Sequence, residues 1–384
     1  MAGTSTLGRV RQDIDVVARA GLDTASFVEE LDASLRRAVP YAAACVATVD
    51  PATNLLTSTY KFGDLAGNDQ HDQEWALLEY GDDDPTSFLS LIGSDDPACG
   101  VCHGTGGDVR RSRRMRDFML PRFGYVDELR MVARHGSRGW GGIALFRASG
   151  ERAFDPTEIE FLASLSSTVA TGLRAGLLAR VAAVEPSDAA VGPAVVIVGD
   201  DGTVSSMSVG ADDLLRAIAV DPHMADASGV IGGLVAGARR YAAGLVDVLP
   251  RTRRRLPSGR WLVLHASPLT VSAAAEGSPR SAGEVVVTIE EARPPEIVPL
   301  IVAAFQLSTR ERDVTQLVLQ GVDTKEIAAT LHMSRYTVQD HLKSVFDKAG
   351  VRSRRELISR VFFDQYSPRM GGDLAPSGWF ASTN

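Results

Sequence analysis

Cysteine is scarce in this chain. Its 384 residues hold three, Cys45, Cys99 and Cys102, too few and too unevenly spaced for a disulfide framework. Long apolar runs are missing as well. The first 20 residues lack the hydrophobic stretch of a signal peptide, and no uninterrupted span of about twenty apolar residues follows. A cytoplasmic protein with no membrane partner is expected. Lysine is absent between Lys61 and Lys325. No tandem repeat, phosphate-binding loop or nucleophile elbow occurs, the seven histidines are scattered, and paired carboxylates fall in turns. No catalytic constellation therefore supports an enzyme, and the sequence requires no cofactor.

What is present is an ordinary globular composition, 45% hydrophobic and 23% charged, in a chain long enough for two or three domains. The most informative stretch runs from Leu307 to Phe363. Ser308 with Glu311 and Ser353 with Glu356 have capping-box spacing, Thr324 and Ser334 are positioned as N-caps, and Gly321 and Gly350 end helices. Val314, Leu317 and Val318 form one apolar stripe. Ile327, Ala328 and Leu331 form a second, and Val338, Leu342, Val345 and Phe346 a third. Four short helices around one small core are expected. His332-Met333 makes the tight turn of a helix-turn-helix, whose second helix keeps Arg335, Tyr336, Gln339, Asp340 and Lys343 on its free face.

The segment resembles the LuxR-type helix-turn-helix at the C-terminus of many bacterial transcription regulators. The likeness rests on Leu307, Glu311, Gly321, Glu326-Ile327-Ala328, Leu331, Ser334, Thr337-Val338, His341-Leu342, Lys348, Gly350-Val351, Arg355 and Leu357. It implies double-stranded DNA as a partner, with RNA polymerase beside it. Gln339, Asp340 and Lys343 fall on the family's base-facing positions, and their groups match adenine, cytosine and guanine edges respectively. Lys325, Arg335, Tyr336, Thr337, Lys348 and Arg352 read as phosphate-positioning groups. From Ser308 to Phe363 ten basic and seven acidic residues give +3, against −8 for the whole chain. One weakly basic module binds DNA poorly alone, so a homodimer on an inverted repeat is expected.

Ahead of this module the chain reads as multidomain. A helix within residues 1–20 precedes an α+β domain over 21–183. Helical spacing over Phe27 to Val39 leads to strands in 42–50 and through the PATNLL and TSTYKFG runs, and two further strands follow in 126–150, joined at Gly136. Trp140-Gly141-Gly142, the Phe154-Asp155 corner, Glu158 and a long exit helix resemble a GAF domain. The signatures of cyclic-nucleotide-binding and bilin-binding members are absent. Along the exit helix, 158–184, Leu162, Leu165, Val169, Leu173, Leu177 and Val181 form a stripe that is either an internal packing face or a dimer seam.

Residues 184–291 resemble a small PAS domain, with strands in 194–209, 259–271 and 284–292 and helices in 211–220 and 232–246. The region contains no cysteine, which excludes cysteinyl-flavin chemistry. A linker over 292–303, the all-α four-helix module over 304–366 and a flexible tail over 367–384 complete the chain. The implied function is a one-component regulator in which an unknown small-molecule effector controls DNA binding.

Three local patterns suggest other chemistry. Cys99-Gly-Val-Cys102-His103 spells the haem-attachment motif, but attachment occurs outside the cytoplasm. The pattern otherwise reads as structural, or as a redox pair or metal half-site with His103 or His71, giving the alternative of a redox or metal sensor. Asp200, Asp201 and Asp247 mimic a phosphorylated receiver, yet the necessary later-strand lysine is missing, so a Gly-Asp-Asp-Gly turn is expected. Arg110, Arg111, Arg113, Arg114 and Arg116, with Arg251 and Arg253 to Arg255, are basic runs, more often solvated faces than anion clamps. A further alternative is a docking module that acts on polymerase without reading DNA.

Overall fold

In the computed structural model, residues 4–81, 84–179, 193–219, 227–269 and 283–363 are described. Among them the chain divides into two compact units. One holds two five-stranded sheets, the other residues 258–261 and everything from Ala292 on. The expected tail and the far end of the exit helix lie outside the described residues.

The first sheet unit begins with helices α1 (Thr4–Arg19) and α2 (Thr24–Ala38), then strands β1 (Ala43–Val49) and β2 (Leu56–Gly63). Helices α3 (Asp72–Gly81) and α4 (Phe88–Gly93), strand β3 (Ala98–Gly100) and the short helices α5 (Val101–Gly104) and α6 (Leu120–Phe123) follow. Strands β4 (Asp127–His135) and β5 (Arg138–Arg147) close the sheet, and α7 (Pro156–Ser164) and α8 (Ser166–Leu178) lead out. The second sheet uses β6 (Ala194–Val198), β7 (Val204–Met207), helices α9 (Ala211–Ala219) and α10 (Ser228–Ala242), then β8 (Arg251–Arg255), β9 (Trp261–Pro268) and β10 (Val285–Glu291). Both sheets are antiparallel with the same spatial order, in which the second strand is followed by the first, fifth, fourth and third.

Strands β4 and β5 are buried at nearly every position because helices cover both of their faces. Gly141 and Gly142 make this possible. Neighbours on a strand point to opposite faces; a Cβ on Gly141 would stand 2.5 Å from Leu173 of α8, and one on Gly142 2.6 Å from Phe88 of α4.

Several expectations change. The PATNLL run is, up to Leu55, a turn closed by Asp50, with Asn54 at φ 57°, because its backbone bonds back on itself, and only Leu56 joins β2. The exit helix breaks at Leu165, and Leu162, Leu165, Val169 and Leu173 are buried within their own unit, which leaves this part of the stripe no free seam. Helix α10 starts four residues earlier than expected, and β8 replaces an expected solvated basic run. Residues 292–303 are largely helical, in α11 (Pro294–Ala304). Pro294 opens it, and Ile297, Leu300, Ile301 and Ala304 bury one side at helical spacing.

Arg110, Arg111, Arg113 and Arg116 are exposed, as expected of a solvated run, but other arginines correct the sequence reading. Arg114 is 2% exposed, its Nη2 2.7 Å from Glu128 Oε2, with Glu79 and Asp84 each 3.4 Å away. Arg130 lies 2.9 Å from Glu79, and its guanidinium stacks 3.8 Å over Phe88. In β8, Arg253 is buried on Asp50 at 2.6 Å, Arg254 donates to the Thr57 and Ile218 carbonyls, and Arg255 caps the end of α8 through the Leu177 and Ala179 carbonyls. Paired carboxylates and carbonyl ends are what allow these charges to be buried. They also join the two halves, expected as separate domains, around a common apolar cluster in which Leu56, Ala76 and Tyr80 meet Val196, Leu234 and Leu264.

Candidate nucleic-acid interface

The second unit continues from α11 through α12 (Thr309–Leu319), α13 (Thr324–Thr330), α14 (Arg335–Ala349) and α15 (Arg354–Ile358) to a π-helical turn at Ser359–Phe363. Its starts are capped much as the sequence suggests. Ser308 and Glu311 form the full capping box, Ser334 accepts from the Thr337 N–H, and Ser353 accepts from the Glu356 N–H. Helix α13 differs: Asp323, not Thr324, is its N-cap. The Asp323 carboxylate takes the Lys325 and Glu326 N–H groups at 2.7 and 2.9 Å, and a negative group at a helix start is favoured over a hydroxyl one position later.

Val314, Val318, Ile327, Val338, Leu342, Val345 and Leu357, all at most 4% exposed, fill the core. The turn between α13 and α14 holds His332 at φ 53°, and the Met333 N–H returns to the Ala328 carbonyl. Helix α14 ends at Gly350, where φ 65° favours glycine.

Burial of Val338, Leu342 and Val345 turns the other side of α14 outward. Arg335, Tyr336, Thr337, Gln339, Asp340 and Lys343 are all exposed, Tyr336 at 85%. Lys325 near the start of α13 and Arg352 after α14 are exposed too. Lys348 stands apart: its ammonium lies 2.6 and 2.8 Å from the two Glu311 oxygens, and Ser344 donates to the same carboxylate. Burial pushes the Glu311 pKa upward, but bonds from Lys348, Ser344 and Ser308 outweigh it and hold the group down at about 2. Sequence reasoning saw Glu311 only as a cap. The missed signal is Ser344 and Lys348, four apart on α14 and off the exposed Gln339–Lys343 face.

The remaining sequence candidates are elsewhere. Cys99 is in β3, paired in register with Arg130, and Cys102 is in α5 with its N–H on Asp127. Burial is the main force raising both thiols above their ordinary pKa, which lowers the thiolate fraction that redox chemistry and metal binding need. His103 is exposed, and His71 packs edge-on against Phe118 and Phe123. Among the described residues no group of three His, Cys, Asp or Glu side chains could hold a metal ion. Asp200 and Asp201 are in the β6–β7 hairpin turn, where Asp201 accepts from both the N–H and the hydroxyl of Thr203. No single described helix is long and apolar enough to cross a membrane.

A capped helix pair with a polar, partly basic outer face on its second member defines a helix-turn-helix module. Residues 306–361 match the family model for bacterial regulatory proteins, luxR family. Over 52 residues the chain is 40% identical to the spore germination protein GerE of Bacillus subtilis, which spans 14% of this chain and 70% of GerE. The chain belongs to the luxR family of bacterial regulatory proteins.

Other relatives match over the same small fraction. A putative HTH-type transcriptional regulator of Aeromonas salmonicida is 43% identical over 73 residues, 19% of this chain and 37% of the relative. The transcriptional regulatory protein UhpA of Salmonella typhimurium is 40% identical over 70 residues, 18% and 36%. The chain thus covers little more than a third of these two relatives. A solved structure of the Vibrio cholerae VqmA dimer matches 46% of this chain and 84% of its own at 16% identity, with a TM-score of 0.21.

Proposed function

We propose that this protein is a one-component, sequence-specific transcriptional regulator in which the two-sheet unit senses a small molecule and governs DNA binding by α14. The observation that carries the reading is the division of α14: Val338, Leu342 and Val345 are used up in the core, so Gln339, Asp340 and Lys343 are all free to enter a major groove. Lys325, Arg335, Tyr336, Thr337 and Arg352 flank them as phosphate contacts that fix register. Lys348 contributes less to phosphate, because its ammonium is engaged by Glu311. Asp340 takes a cytosine amino group or pairs with a neighbouring cation, since a bare carboxylate is repelled by phosphates.

The two sheets, equal in strand order, support a GAF-like sensor over 21–183 followed by a PAS-like relay over 184–291. The module over 304–366 pairs in a homodimer to read two half-sites one duplex turn apart, and RNA polymerase is the downstream partner. Selection of the full chain on random duplexes tests this. Enrichment of an inverted repeat, with log affinity falling steeply against log salt, is expected. Absence of enrichment from both the full chain and residues 292–384 contradicts DNA reading and favours docking on protein.

A further inference from the structure

An apolar cavity lies against the first sheet, between β1, β2 and β5 and the helix α3. Its lining includes Cys45, Thr59, Lys61, Trp75, Phe118 and Phe146, and one wall comes from the other sheet's half through Gly229 of α10. We propose that this cavity binds a small, neutral, flat aromatic molecule and that α10, the moving wall, passes occupancy to the second sheet. The inference rests on the sensor reading above and names the ligand class and the element that responds.

Aromatic rings supply the shape. Phe118 and Phe123 meet edge to face at 5.8 Å, and Phe123, Tyr125 and Phe146 continue as a stack at 5.7 and 4.9 Å. Such walls favour a flat ring that can stack or meet edges. Neutrality follows from Lys61, the cation at the cavity. Its ammonium donates to the Asn68 carbonyl at 2.6 Å, Asp69 at 2.8 Å and Asp72 at 2.5 Å, so all three donors are engaged and none is left for an anion. Burial pushes the Cys45 thiol up to about 12, which keeps it uncharged at neutral pH. An anionic ligand would enter without a partner and lose its hydration.

Size identifies the responding wall. The cavity holds about 40 Å³, room for about two or three waters, so a ring must displace something. The strands are tied into their ladders, and Lys61 holds the start of α3. Helix α10 instead approaches through glycine: a Cβ on Gly229 would stand 3.4 Å from Asp72 and Leu56, while Gly232 and Gly233 lie close against Gln73 and Tyr80 of α3. A smooth glycine face suits a shear of one helix along another. Thr59 and Lys61, two apart on β2, both line the cavity.

The test is calorimetric titration of the full chain with indole and with indole-3-carboxylate, alongside hydrogen exchange of α10. Indole is expected to bind saturably and the anion at least ten-fold more weakly, with altered exchange in α10. Ala144→Leu, which fills the cavity from β5, should abolish binding. Because it could also disturb folding, Gly229→Ala serves as the milder variant. Its Cβ meets ordinary contact distances, so the fold should persist while indole binding falls several-fold. Failure of indole to bind, equal binding of the carboxylate, or unchanged binding in Gly229→Ala overturns the proposal. Binding without a change in α10 exchange overturns the relay. DNA binding by the same preparation separates the two readings: a chain that selects DNA but ignores indole loses this inference alone, and one that binds indole but no DNA loses the regulatory reading.

Discussion

Glu311 and Lys348, 37 residues apart, form the ion pair that ties α12 to α14, with both ammonium–carboxylate distances under 3 Å. The carboxylate also completes the α12 cap through the Ser308 N–H. One side chain therefore both starts α12 and orients the helix whose outer face is the candidate DNA reader. Glu311→Gln should destabilise this unit by about 1–2 kcal/mol, a figure reduced for screening at the partly exposed Lys348. The pKa of Glu311 falls from its ordinary 4.5 to about 2 on folding. The stabilisation is thus fully present above about pH 4.5 and is lost as pH falls toward 2. Hydrogen exchange of α12 and α14 amides should show a gap between variant and parent at pH 6 that narrows below pH 4. A gap independent of pH would sink the assignment.

The same pair separates two lysines that sequence alone treats alike. Lys325→Ala should lower the slope of log affinity against log salt by about one, as expected for a lost phosphate contact. Lys348→Ala should leave that slope nearly unchanged and reduce stability instead. Equal loss of slope in both variants contradicts this division of roles.

Asp323 caps α13 with one oxygen shared by two N–H groups. Replacing it with alanine should cost about 1 kcal/mol, within the usual range for lost N-caps. Thr324→Ala should cost much less, since the threonine is the first helical residue. Chemical denaturation of the two variants side by side checks the order.

Asp50 and Arg253, both nearly inaccessible, link the β1–β2 turn to β8. Asp50→Ala removes the buried carboxylate that pairs with Arg253 and should destabilise the two-sheet unit by about 3–5 kcal/mol. The double change Asp50→Leu with Arg253→Met should recover part of that loss, because both charges of the pair are removed together. Thermal melts of the single and double variants decide it; a double variant worse than the single one contradicts the account.

The helix-turn-helix was legible in the sequence because its information is local. Caps at Ser308, Ser334 and Ser353 and stripes at three- and four-residue spacing encode helices without reference to distant residues. The Asp323 cap was missed because two capping residues stand next to each other. The strands of both sheets were largely legible from their β-branched runs. Arg114 and Arg253 were not, since a run of arginines looks the same whether it meets water or carboxylates from positions 79, 84, 128 and 50. The partners that decide burial lie 14 to 203 residues away. The cavity was illegible for the same reason, being built from strands, α3 and a glycine of the other half.

The central claim is that the exposed face of α14 reads base sequence. The most direct measurement is equilibrium binding of the full chain and of Gln339→Ala to the selected site and to a scrambled duplex, in the same salt. The account predicts that Gln339→Ala loses about 1–3 kcal/mol on the selected site and almost nothing on the scrambled one, so that discrimination falls while non-specific affinity stays. Equal loss on both duplexes, or none on either, would contradict it.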